Sequence, residues 1–209
     1  MSRTIKDAIV ANFADNLARV RSLVAVYDQI ASPGAAPPTL AQTDVLRAAV
    51  VLLHASLEDL IRSSSEHLLP LAGVDVLDEI GFPTPEGRNA DRIRLGALAP
   101  FRGDKVSDVI RAAVSARLQR SNYNSANEVG YALERIGVSR GVLSPDEATL
   151  EALMKRRHLI VHRADKDPTM LPGQGSALAQ TLSKSTALAW IDTVDGVGGR
   201  IAASLPAIP

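Results

Sequence analysis

The stretch TDVLRAAVVLLHASLEDLIRSSSEHL, residues 43–68, decides the fold. At 100° per residue, the side chains from Val45 to Ile61 are apolar almost all round the axis. A helix of that kind is covered on every side, so it belongs at the centre of a bundle. Thr43 or Asp44 can cap its free N–H groups.

The neighbouring segments read as helices as well. In residues 2–30, Ile5, Ile9, Phe13, Leu17, Val20, Val24 and Tyr27 recur at steps of three and four and make one face. Residues 32–38 (SPGAAPP) break that helix. Residues 70–87 are irregular, with a short helix expected at 74–80. Helices follow at 104–119 and at 126–136, the latter closed by Gly137. Ser144-Pro-Asp-Glu147 reads as a capping box that starts a helix running to 163. Residues 165–175 form a loop, and the last helix spans 182–203. Aromatic residues are only 3% of the chain and strand-like alternation is absent, so the expected class is all-α. All 209 residues form one domain, with a core at about 40–165 and flanking helices at 2–30 and 182–203. Gly196, Gly198 and Gly199 weaken the last helix and predict close approach of another backbone.

Composition narrows the chemistry. The chain has no cysteine, which excludes disulfides, thiolate metal sites, iron–sulfur ligation and a cysteine nucleophile. Basic and acidic residues balance at 23 each, so any anion binding must come from a local patch. The opening MSRTIKDAIVANFADN lacks a signal-peptide core, and no apolar run reaches about 18 residues. A cytoplasmic protein without membrane contact is expected. LPGQG (residues 171–175) is too short for a phosphate loop and lacks its lysine, so no nucleotide cofactor is expected.

Polar residues interrupt two apolar faces. In residues 147–163, Leu150, Leu153, Met154, Ile160 and Val161 lie within about 120° of arc, with Arg157 in the middle. A guanidinium there keeps its proton and is costly to bury unpaired. It must meet a carboxylate, a phosphate or a wet cleft. His158 and His162 lie about 40° apart on the shoulder of that face. In residues 43–68, Arg47, His54 and Glu58 fall within about 40°, with Arg62 just beyond and Asp59 offset. That stripe faces a partner or a cleft, and Glu58 is placed to accept from Arg157. A purely architectural Arg157–Glu58 pair is the plain alternative. A two-histidine metal site finds no convincing third ligand beyond Glu58 or His54, so no metal is expected.

Together these residues resemble a HEPN domain, of the RiboL-PSP-HEPN branch. Its signature of arginine, a polar residue, three more residues and histidine reads here Arg157-His158-Leu159-Ile160-Val161-His162. Residues 47–62 resemble the family's early helix, its acidic position matched by Glu58 or Asp59. RLGALAPFRGDKVSDVI and RSNYNSANEV resemble the branch's linking segments. The resemblance implies a helical bundle, a two-fold homodimer whose signature residues line one cleft, and metal-independent ribonuclease activity in toxin, defence or stress roles. Some family members are non-catalytic modules that bind RNA, a nucleotide or a protein, which is the alternative reading here.

RNA supplies its own nucleophile, the 2′-hydroxyl. His162 serves as base or acid. Arg157 holds the phosphoryl oxygens. His158 either positions a phosphate or carries the second proton, and Glu58 orients Arg157 or a histidine. His54, Arg47, Arg62 and Asp59 are candidate RNA contacts. Arg157 and His162 lie about 140° apart around one helix, so two copies of the chain complement each other across a two-fold axis. The products are a 2′,3′-cyclic phosphate and a 5′-hydroxyl. Some toxin members carry a tyrosine two residues past the histidine, where an antitoxin modifies it. Here that residue is Ala164, so pairing with an antitoxin or defence partner of that type is in doubt.

Overall fold

The computed structural model describes residues 4–31, 39–83, 89–90, 95–165 and 180–208. The chain is all-α. Its helices are α1 (Ile5–Ile30), α2 (Leu40–Leu68), α3 (Val74–Ile80), α4 (Val106–Leu118), α5 (Ala126–Arg135), α6 (Glu147–Arg163) and α7 (Lys184–Ser204). Three 3-10 turns lie at Leu69–Leu71, Leu95–Phe101 and Arg140–Leu143. Two-residue strands β1 (Phe82–Pro83) and β2 (Asn89–Ala90) pair antiparallel, Phe82 opposite Ala90.

α2 is the axis of the bundle, packed by α1, α4, α5, α6 and α7. Its buried residues include Leu46, Val50, Leu53, Leu57, Leu60, Ile61 and Leu68, which is why its sequence is apolar on nearly every side. By length and composition α2 would also suffice to cross a bilayer. Here neighbouring helices cover it, and its polar residues Arg47, His54, Glu58 and Arg62 find partners inside the bundle. α1 and α7 pack on α2 and on each other, so the flanking helices complete the bundle.

Local chemistry sets the helix ends. The Thr4 hydroxyl and the Asp7 carboxylate cap α1 reciprocally. α2 starts ahead of the expected Thr43 or Asp44, because Thr39 and Gln42 make a capping box. Thr43 instead bonds back to the Thr39 and Leu40 carbonyls, and Asp44 pairs with Arg47. The capping box expected at Ser144–Glu147 does not form. α6 begins at Glu147 with no side-chain cap. The box residues are engaged elsewhere: Glu147 accepts from Arg140 at 2.7 Å and Asp146 from Arg200 at 2.6 Å. Of the expected 165–175 loop only Asp165 lies among the described residues; LPGQG lies outside them.

The close approach expected at the α7 glycines involves a side chain rather than a backbone. A Cβ built on Gly198 would lie 2.2 Å from the Phe13 ring of α1. Nothing among the described residues lies within 4 Å of one built on Gly199. Gly198→Ala should therefore destabilise the fold by about 1–3 kcal/mol through overpacking. Gly199→Ala should stabilise it by up to about 1 kcal/mol through helix propensity. Thermal unfolding of the two variants checks this; equal shifts would refute the packing explanation.

Candidate functional site

The polar stripe of α2 divides into two networks. The first surrounds Asp165, just past α6, which is wholly buried. Ala164 and Asp165 both take left-handed backbone, φ 49° and 60°. This turns the chain back so that the Asp165 N–H donates to the Leu159 carbonyl at 3.0 Å. Arg47 Nε donates to Asp165 Oδ2 at 2.7 Å, and Arg156 Nη2 donates to the same oxygen at 2.8 Å. Arg156 Nε makes an ion-pair contact with Oδ1 at 2.7 Å. Both guanidinium groups also donate to the Gln180 carbonyl, fastening the chain that returns toward α7. Arg47 is thus not an RNA contact, as its residue type suggested; it is a buried structural cation.

The second network ties the loop between α4 and α5 to α2. His54, Glu58 and Arg62 follow one another at i, i+4 on one face. Arg62 donates to the carbonyls of Leu118 and Ser121 and to Glu58 Oε1, the last at 3.1 Å. His54 is buried, and its Nε2 lies 2.8 Å from the Tyr123 carbonyl. A carbonyl only accepts, so Nε2 carries the proton and Nδ1 of the neutral ring is a lone pair. Nδ1 sits 3.7 Å from Glu58 Oε2 and has no hydrogen-bond partner. These contacts present Asn124, whose Oδ1 accepts from Arg157 Nη1 at 3.2 Å.

Arg157 does not pair with Glu58, the partner expected for it. Its one hydrogen-bond partner among the described residues is the neutral Asn124 amide, and its buried Nε has none. The guanidinium is half-buried, and no carboxylate among the described residues makes ion-pair contact with it. Beyond Met154 the buried face of α6 ends, and Val161, expected inside, is 48% exposed. His158 and His162 are exposed too, with ring centroids 4.5 Å apart. Among the described residues neither imidazole has a hydrogen-bond partner.

Other expected contacts move to supporting roles. His54 is too buried to touch a large ligand, and Arg62 is engaged with the loop carbonyls. Asp59 lies on the α1 side, exposed, accepting from Asn16 Nδ2 at 3.4 Å. Asn124 was not legible in the sequence; an asparagine in a turn carries no periodic signal, and only its place in RSNYNSANEV marks it. Among the described residues no group of three His, Asp or Glu side chains is close enough to hold a metal.

Burial lowers the His54 pKa from its ordinary 6.5, and the Arg157 charge adds to the shift. The Tyr123 carbonyl and Glu58 act in the opposite direction and are outweighed. The unfolded chain therefore binds the His54 proton more tightly than the folded one. This contribution to stability is full above the ordinary pKa and is lost as pH falls toward the lowered one. Unfolding midpoints should drop between pH 7 and 5, with about 1.4 kcal/mol at stake per unit of depression. His54→Gln, which keeps a donor for Tyr123, should flatten that slope; an unchanged slope would refute the assignment.

No protein-family model matches the chain, and no curated protein or solved structure matches it either.

Proposed function

We propose that the chain is a metal-independent, HEPN-type endoribonuclease acting as a two-fold homodimer. One observation carries this reading. Arg157 is half-buried with no carboxylate partner among the described residues, on the helix that presents His158 and His162 to solvent. An architectural arginine looks different in this protein, as Arg47 and Arg156 show by closing on Asp165. A guanidinium held by a neutral amide keeps its charge available for an anionic ligand.

The roles follow from position. Arg157 binds the non-bridging phosphoryl oxygens and stabilises the charge that grows as the 2′-oxygen attacks. His162 takes the 2′-hydroxyl proton or delivers one to the leaving 5′-oxygen, and His158 carries the second transfer or contacts the phosphate. Glu58, His54 and Arg62 are positioning residues, acting through the loop that presents Asn124 to Arg157. Since Arg157 and His162 point about 140° apart on α6, the reacting phosphate lies between two copies of the chain. Ala164 offers no hydroxyl for modification.

The test is to fractionate the purified chain by size and assay each fraction on single-stranded RNA in excess EDTA. Cleavage that co-elutes with a dimer is expected. Activity confined to a monomer contradicts the shared cleft. RNA binding without cleavage supports a non-catalytic module.

A further inference from the structure

Beside Arg157 lies a cavity of about 370 Å³ between the end of α2, the loop after α4, and α5. That volume falls within the range of small-molecule clefts, roughly 300–1,000 Å³. Asn124 lines it, and the Asn124 side chain holds Arg157, so cavity and candidate reaction centre are contiguous. Its charged lining is Arg117, Arg120 and Arg135 against a single carboxylate, Glu128, which is engaged by the Asn124 N–H at 2.6 Å. Among the described residues the guanidinium groups of Arg117 and Arg120 have neither ion pair nor hydrogen bond. Arg135 is held, its Nη2 lying 3.5 Å from Glu79 Oε2 and donating to the Val76 carbonyl at 3.0 Å, so the free cations are Arg117 and Arg120. In a chain with zero net charge, this is a local excess of cations around a concave surface.

The cavity also holds a fixed aromatic wall. Tyr131 is 50% exposed and lines it. Its hydroxyl donates to Glu79 at 2.6 Å, and the Arg135 guanidinium lies 5.3 Å from the ring centroid. Both contacts hold the ring in place. A rigid aromatic ring in the same cavity as the unpaired guanidinium groups of Arg117 and Arg120 is the chemistry that receives a base and its phosphate in single-stranded nucleic acid.

We propose that this cavity is a nucleotide subsite, taking the base and phosphate of the RNA residue adjacent to the scissile linkage. The inference rests on the ribonuclease reading for the direction of the strand, from Arg157 past Asn124 into the cavity. Arg117 and Arg120 contact the phosphate, and the base stacks on Tyr131.

The experiment measures binding of a short fluorescent 2′-O-methyl RNA by anisotropy at several salt concentrations, and cleavage of the unmodified RNA separately. The methylated strand lacks the attacking hydroxyl, so binding is read without turnover. Arg117→Gln with Arg120→Gln should weaken binding on the order of tenfold and flatten the log–log salt slope by about 1.4, two contacts at roughly 0.7 each. Tyr131→Leu should weaken binding on the order of tenfold with the slope unchanged, and Tyr131→Phe should retain it. For each variant kcat/KM should fall with affinity. Wild-type affinity in both the double arginine variant and Tyr131→Leu overturns the subsite even if cleavage is intact. Loss of binding in the variants, with no cleavage by the native chain, upholds the subsite and overturns the nuclease. No RNA binding by the native chain overturns both.

Discussion

Arg157→Ala is expected to lower RNA cleavage by roughly 10²–10³-fold, the usual loss when one preorganised charge-stabilising donor is removed. The fold should survive. Among the described residues Arg157 gives a single hydrogen bond, to Asn124, and closes no ion pair, so its loss strands no carboxylate among them. His162→Ala should cost about 10²–10⁴-fold, the range for a positioned acid or base. Its ring is exposed and has no hydrogen bond among the described residues, so stability should hardly change. If the cleft is shared, mixing the two variants restores one intact site per mixed dimer, about a quarter of native activity after random exchange. A mixture as inactive as its components would place both residues in one chain's own site.

The largest effect on stability is expected at Asp165. Asp165→Asn keeps the size of the side chain and tolerates left-handed backbone, but removes the charge between Arg47 and Arg156. Arg156 then loses its carboxylate and, among the described residues, Arg47 keeps only the exposed Asp44; breaking a buried ion pair in this way costs about 3–5 kcal/mol. For a domain of this length that corresponds to a fall in Tm of roughly 6–20 °C. The loss should be strongly coupled: Arg156→Met ought to cost much less in the Asp165→Asn background than alone. Additive losses would show that the three side chains do not act as one unit. RNA cleavage by the folded Asp165→Asn protein should persist, since this network is separate from Arg157.

Periodicity revealed the helices and the central place of α2, because an all-round apolar helix has one stable location. It also marked Arg157 as misplaced on a buried face. It could not choose the partner, because that choice depends on how the loop after α4 returns. Glu58 sits one turn from Arg62, and that local guanidinium takes it before Arg157 can. Asp165 was invisible for a related reason. A lone acidic residue in a loop has no period, and its partner Arg47 is 118 positions away. The signal available was indirect: Arg47, on the central helix, requires a carboxylate, and Asp165 is the first acidic residue past α6. Helix starts were shifted where several capping residues competed. Thr39 prevailed over Thr43, and at Ser144–Glu147 long-range arginine contacts displaced the local box.

End-group analysis of a defined oligoribonucleotide incubated with the chain in excess EDTA bears most directly on Arg157. If its guanidinium grips the scissile phosphate while imidazoles move the protons, the upstream fragment carries a 2′,3′-cyclic phosphate and the downstream fragment a 5′-hydroxyl, and both disappear with Arg157→Ala. An oligonucleotide left intact, or fragments ending in 5′-phosphate that form only with added divalent metal, would contradict it.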